Sequence, residues 1–87
     1  MLFMVVERFE PDLLPAMAER FRTSGRMLPD GVEYQMSWMA ADGTTCYQVM
    51  SATSRKDLDV WIRRWDDLVE FDVIEVKTSQ QYWAENG

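Results

Sequence analysis

The hydrophobic residues of this chain change their period several times, and the order of these periods restricts the fold more than any other feature. Apolar and polar residues alternate between Val32 and Trp38, which is typical of a strand. Apolar residues at helical spacing run from Leu58 to Val69 and predict an amphipathic helix there. The other predicted elements are strands at 2–9, 44–51 and 71–77 and a helix at 15–24. The chain therefore has the order βαββαβ.

Short signals mark where these elements begin and end. Pro15 suits the first turn of a helix, and Gly25 is a natural residue just past its end. The pair at residues 42–43, Asp-Gly, predicts a hairpin between the second and third strands. Ser54 precedes the second helix as its N-terminal cap. We expect Trp61 and Trp65, on the apolar stripe of that helix, to be core residues.

This order predicts an α+β fold of the ferredoxin-like type, a four-stranded antiparallel sheet with two helices on one face. The 87 residues suffice for one domain, which we place at 1–79, followed by a polar C-terminal tail at 80–87. One helix layer covers one sheet face, yet the first and fourth strands carry apolar residues on both sides. An apolar face of that size is rarely left exposed, so we predict a homodimer that stacks sheet on sheet.

The charge and residue inventory excludes several functions. Nine basic and fifteen acidic residues give a net charge of −6, which opposes binding to nucleic acid. The chain has no histidine and one cysteine, so a His-liganded metal site, a Ser-His-Asp triad and an internal disulfide are excluded. We expect no metal, no cofactor and no membrane partner. The sequence shows no membrane span or signal peptide, which favours a cytoplasmic protein.

Four residues on the central strands are candidates for a ligand pocket or a dimer interface. Tyr34, Trp38 and Tyr47 offer aromatic area with polar tips, which suits a small apolar or aromatic ligand and also suits an interface. Gln48 places a carboxamide on a central strand, where it must be hydrogen-bonded if it is buried. It could contact a ligand or a neighbour across the sheet.

Two acidic residues near the end of the second predicted helix are candidate catalytic groups. Asp66 and Glu70 fall at i and i+4 on the predicted helix, with Asp67 beside them, and could act as a general base or hold a divalent cation. The alternative is an acidic helix end that is solvated or paired with Arg22 or Arg26.

The arginines near the end of the first helix and the single thiol each have a functional and a structural interpretation. Arg20, Arg22 and Arg26 could cradle an anion, or they could simply stabilise the C-terminal end of the first helix. Cys46 has no basic neighbour in the sequence that would lower its pKa, so we predict a small buried hydrophobic residue rather than a nucleophile.

Several uncommon strings resemble a family of short bacterial proteins, the domain-of-unknown-function family DUF3303. The strings are GRMLPDGV at Gly25–Val32, SW at Ser37–Trp38, CYQVM at Cys46–Met50 and WDDLVEF at Trp65–Phe71, with Trp61 between the last two. The resemblance implies the fold of the dimeric α/β-barrel superfamily, in which two ferredoxin-like sheets stack. It implies no activity, because relatives in that superfamily include cofactor-independent monooxygenases, haem enzymes and muconolactone-type isomerases. The absence of histidine argues against a His-ligated haem.

Three functional hypotheses remain open at this point. The first is a homodimer that binds a small apolar or aromatic ligand without a defined reaction. The second is an enzyme of the cofactor-independent monooxygenase or isomerase kind, with Asp66 or Glu70 as its base. The third is a protein-interaction module that uses Tyr82 and Trp83 of the tail as an anchor.

Overall fold

A four-stranded antiparallel sheet organises the structure, a computed structural model that describes residues 1–87. Its strand order is β2-β3-β1-β4, so the first and third strands lie in the centre. The elements are β1 (Leu2–Phe9), α1 (Leu14–Ser24), β2 (Val32–Met39), β3 (Thr45–Ala52), α2 (Arg55–Arg63), β4 (Val69–Val76) and α3 (Ser79–Asn86). A short 3-10 turn at Pro11–Leu13 leads into α1. The predicted ferredoxin-like α+β fold is confirmed.

The hydrophobic core lies between α2 and one face of the sheet. Leu58 and Trp61 of α2 pack there against Phe3, Val5 and other buried side chains of the sheet. Trp61 and Trp65 are both buried, which confirms them as core residues. Helix α1 contributes no buried residue to this core. The side of the sheet beneath α1 is therefore packed less tightly than the side beneath α2.

Helix α2 is shorter than the sequence pattern predicted. The apolar stripe suggested a helix as far as Val69, but α2 ends at Arg63 and a turn occupies residues 64–68. Val69 instead begins β4, where it pairs with Phe9 of β1. Carboxylates at positions 66 and 67 are also unfavourable at the C-terminal end of a helix dipole. The premise that Asp66 and Glu70 share a helix face is therefore wrong.

A β-bulge in β2 changes which residues face the helices. The register against β3 shifts between Tyr34 and Met36, so one additional residue interrupts the alternation. Tyr34 therefore faces the helices, whereas Met36 and Trp38 point to the opposite side of the sheet. The alternating pattern had placed these residues on one face, and the bulge corrects that prediction.

The sheet face opposite α1 and α2, called the open face here, is largely apolar. Its most exposed members are Met36, Trp38, Tyr47 and Ile74. Trp38 and Tyr47 are direct neighbours across β2 and β3. The remaining apolar side chains of the open face are Leu2, Met4, Val6, Val49 and Val76.

The C-terminal segment forms α3, a helix to which the sequence pattern assigned no structure. The Thr78 hydroxyl caps it by accepting a hydrogen bond from the Gln81 backbone N–H at 3.0 Å. Tyr82 and Trp83 contact each other edge to face, with ring centroids 5.1 Å apart, and both are exposed. No helix of the structure, α3 included, combines the length and apolar character that crossing a membrane requires.

Candidate functional site

A cavity of about 200 Å³ lies between the sheet and the two helices α1 and α2. Its apolar lining includes Phe21 of α1 and both Trp61 and Trp65. The polar and ionisable groups that line it are Glu7, Arg26, Ser37, Cys46 and Gln48. An apolar cavity with a few convergent polar groups is the usual form of a small-molecule site.

Strand pairing brings four of these polar groups together. Glu7 of β1 lies directly opposite Cys46 of β3, and Ser37 of β2 lies directly opposite Gln48 of β3. Side chains at directly opposite positions have Cβ atoms about 4.5–5.5 Å apart, and diagonal neighbours, about 7–8 Å apart, are still within reach of long side chains. The four side chains therefore form two adjacent rows on the cavity floor.

Glu7 is the most perturbed ionisable group of the cavity. Burial raises its pKa from 4.5 to about 7, while a hydrogen bond from the Cys46 thiol and the positive charge of Arg26 act in the opposite direction. None of the chain's salt bridges includes the Glu7 carboxylate. Glu7 is thus about half ionised at neutral pH, where it can both release and accept a proton.

Cys46 is a buried thiol, as predicted. Burial raises the pKa of the Cys46 thiol, and the nearby Glu7 carboxylate raises it further. The thiol therefore stays protonated at neutral pH, and a protonated thiol is a poor nucleophile.

Gln48 retains unused hydrogen-bonding capacity although only 4% of its surface is exposed. Its Nε2 donates to the Met50 sulfur at 3.2 Å, and a thioether is a weak acceptor. Its Oε1 receives no hydrogen bond from the chain. Every fully buried side-chain nitrogen or oxygen atom of the protein has a hydrogen-bond partner, so an Oε1 without one is not fully buried. Oε1 is therefore accessible from the cavity. The sequence had suggested that Gln48 contacts either a ligand or a neighbour across the sheet. Its hydrogen bond to Met50 instead runs along β3.

Arg26 is held at the cavity by its backbone. The indole N–H groups of Trp61 and Trp65 both donate to the Arg26 carbonyl oxygen, each at 2.9 Å. The Arg26 guanidinium lies over the Tyr34 ring, 3.6 Å from its centroid, and 5.4 Å from the centroid of Phe21. The two tryptophans thus position a cation as well as fill the core, a role that their spacing did not reveal.

The residue before Arg26 requires a backbone conformation that favours glycine. Gly25 ends α1 with φ of 64°, and its amide donates to the Phe21 carbonyl oxygen at 2.7 Å. On the other side, the Arg64 guanidinium donates to the Met27 carbonyl oxygen at 2.6 Å. The segment that carries Arg26 is therefore fixed at both ends.

The four candidate pocket residues are divided between the two faces of the sheet. Gln48 lines the cavity, and Tyr34 supports Arg26 from the same side. Trp38 and Tyr47, by contrast, lie together on the open face, where they are 53% and 45% exposed. The first pair belongs to a candidate ligand site and the second pair to a candidate interface.

The acidic candidates lie in a separate, open groove on the surface. Asp66 occupies the turn after α2, whereas Glu70 lies on β4, and both side chains are exposed. Asp67 pairs with Arg20 at 2.7 Å, and this partner lowers the pKa of Asp67. The chain has no group of three or more carboxylate, cysteine or histidine side chains that could hold a metal ion.

The predicted partners of these acids are also corrected. Arg22 pairs with Glu19 on its own helix, and the guanidinium of Arg26 stacks on aromatic rings instead. Arg8 is the residue that contacts Glu70, at 4.0 Å. The arginines near the end of α1 therefore point to different partners and do not form one anion cradle.

Glu7 and Ser37 were missed as candidates from the sequence. A signal for Glu7 is nonetheless present, because Glu7 alternates in register with the apolar residues Phe3, Val5 and Phe9 on one side of β1. A single carboxylate in such a row must be buried or must interrupt the packing of the sheet.

Comparisons with known proteins agree with the fold. Residues 1–84 match the model of DUF3303, described as a domain of unknown function. Among solved structures, the chain is similar to Rv0793 from Mycobacterium tuberculosis, with 20% sequence identity and a TM-score of 0.54. That alignment covers 91% of this chain and 98% of the other, and it shows a shared fold. No curated protein matches the chain.

Proposed function

Because the chain belongs to the DUF3303 family, which carries no assigned activity, we propose its function from the cavity: it is a homodimer that binds a small apolar or aromatic ligand. The observation that carries this proposal is the presence of Glu7 and Gln48 in an otherwise mainly apolar cavity. Both have hydrogen-bonding capacity that the chain itself does not use. Such groups fix the orientation of a bound molecule and supply specificity.

The size of the cavity limits the ligand. An engineered apolar cavity of about 150 Å³ holds benzene, so the volume of about 200 Å³ here suits a compound with one ring or a short chain. The loose packing of α1, which buries no residue, offers a path for entry between that helix and the sheet.

The open face supports the dimer. Met36, Trp38, Tyr47 and Ile74 are exposed together on it, although monomeric proteins rarely leave contiguous apolar patches of several hundred Å². Stacking two sheets about 10 Å apart would bury these side chains against their copies.

Native mass spectrometry of the protein freshly purified from its own host tests both parts of the proposal. We expect the mass of a dimer, with a discrete additional mass for each bound ligand. An empty dimer would remove the support for a ligand, and an empty monomer would overturn the proposal as a whole.

A charge on the open face tests the interface separately. Trp38→Glu should shift the protein toward monomer in light scattering, because an ionised carboxylate opposes burial against the partner sheet. Ala16→Glu is the matched control, since it adds the same charge at an exposed position of α1. A dimer that withstands Trp38→Glu would place the interface elsewhere.

The pKa of Glu7 favours a second candidate, a cofactor-independent enzyme of the monooxygenase or isomerase kind. A carboxyl with a pKa of about 7 is well suited to act as a general base at neutral pH. Glu7 would then have the role that Asp66 or Glu70 was expected to have. If the released ligand changes in mass or in retention on incubation with the protein, this candidate replaces simple binding.

A further inference from the structure

We propose that the cavity selects single-ring compounds that carry a hydroxyl group, of which phenol is the simplest, and that the Glu7 carboxylate recognises the hydroxyl hydrogen. This inference rests on the proposed function, because it names the ligand class of the same cavity.

The apolar lining accounts for the ring. Phe21, Trp61 and Trp65 present aromatic surface to a volume that admits one ring and little more. A charged or strongly polar ligand would lose hydration against this aromatic part of the lining.

The polar groups account for the hydroxyl. Glu7 offers carboxylate oxygens, and Gln48 offers an Oε1 atom that receives no hydrogen bond within the chain. Two free acceptors require a ligand that brings a donor. A hydroxyl also has lone pairs, and the Arg26 guanidinium at the cavity wall provides donors for them.

The surroundings of Glu7 make the recognition depend on pH. The groups that face it are the Cys46 thiol from β3 and the Arg26 guanidinium from the segment after α1. On β4 the residue opposite Glu7 is Phe71, and α1 and α2 present only apolar or aromatic side chains to the cavity. Glu7 therefore changes its charge near neutral pH.

Ionisation of Glu7 should strengthen the binding of a hydroxyl donor. A hydrogen bond to a carboxylate is roughly twice as strong as one between neutral groups. The phenol itself stays protonated, because its pKa lies near 10. With a Glu7 pKa of about 7, the ionised fraction rises from about one tenth at pH 6 to about nine tenths at pH 8.

The experiment is calorimetric titration of the intact protein with phenol and with anisole, its O-methyl counterpart, at pH 6 and pH 8. We expect the affinity for phenol to rise toward tenfold, the limit of about 1.4 kcal/mol that the change in ionised fraction allows. Anisole has no donor and should bind more weakly at pH 8, where it must share the cavity with a charged carboxylate.

Two variants separate the role of Glu7 from a general effect of pH. Glu7→Gln should bind both compounds with little dependence on pH, whereas Glu10→Gln, at an exposed position just beyond β1, should keep the wild-type profile. If Glu7→Gln does not fold, an NMR titration of the wild-type Glu7 carboxyl replaces it, and phenol should then lower the pKa of Glu7.

The outcomes distinguish this inference from the proposed function. If phenol and anisole both bind with the same dependence on pH, the assignment of Glu7 is overturned while ligand binding stands. If neither compound binds to the folded protein at either pH, the selection of single-ring hydroxyl compounds is overturned, and the native mass spectrum of the protein from its own host decides the proposed function separately.

Discussion

Replacing Glu7 by glutamine removes a half-buried ionisable group and keeps the shape of the side chain. Below about pH 4.5 this group is protonated in both the folded and the unfolded chain, so the substitution should change stability little there. Between pH 4.5 and 7 the unfolded chain releases the proton and the folded chain retains it. The folded state then binds more protons, and the free energy of unfolding must fall as the pH rises.

The structure also sets the magnitude of this effect. A pKa of about 7 in place of 4.5 corresponds to about 3 kcal/mol, since each tenfold change in proton affinity is about 1.4 kcal/mol. Glu7→Gln should therefore match the wild type at pH 4 and exceed its free energy of unfolding by about 3 kcal/mol at pH 8. Most of this difference in the free energy of unfolding should develop between pH 4.5 and pH 7.

Urea unfolding followed by far-ultraviolet circular dichroism at a series of pH values measures this difference. One protein concentration must be used throughout, because dimerisation would couple stability to concentration. The subtraction isolates Glu7, because the Cys46 thiol, whose pKa depends on Glu7, stays protonated throughout this pH range. Glu10→Gln should show no such trend. A difference that is constant from pH 4 to pH 8, or that decreases with pH, would refute the raised pKa of Glu7 in the folded protein.

Three further predictions concern the surroundings of the cavity. Gly25→Ala should lower the free energy of unfolding in urea by about 1–2 kcal/mol, because φ of 64° is unfavourable for alanine. The added Cβ would meet no neighbouring atom, so the backbone angle is the whole cause, and unchanged stability would contradict this. Arg20→Ala should return the pKa of Asp67 toward its ordinary value in an NMR titration and leave phenol affinity unchanged, whereas weaker binding would include Arg20 in the site. Cys46 of the wild type should react slowly with Ellman's reagent, because the thiol is buried. In Glu7→Gln it should react faster than in the wild type, because loss of the carboxylate lowers the pKa of the thiol. Rapid reaction in the wild type would contradict the burial of Cys46.

The family strings and the periodicities determined the architecture without help from the structure. Alternation at Val32–Trp38, the hairpin signal and the stripe that begins at Leu58 specified the order of strands and helices. Apolar residues on both sides of β1 also indicated that the second sheet face would carry apolar surface. These are local properties, because each period is set by the geometry of a single element.

The sequence predicted the boundaries of the helices and strands less well than their order. The stripe through Val69 is compatible with a longer helix, and only pairing with Phe9 shows that this residue begins β4. The bulge that turns Met36 and Trp38 away from the helices leaves no distinct pattern in the sequence either. In both cases competition with a partner strand, rather than local propensity, decided the outcome.

The candidate site was decided by tertiary structure alone. Glu7, Arg26 and Cys46 come from three separate parts of the chain, and strand register together with two indole hydrogen bonds brings them to one cavity. The sequence specified that Gln48 would need a hydrogen-bond partner, but not that its carbonyl oxygen would remain free. The raised pKa of Glu7 has the same origin, because desolvation depends on what packs around a carboxyl and not on its neighbours along the chain.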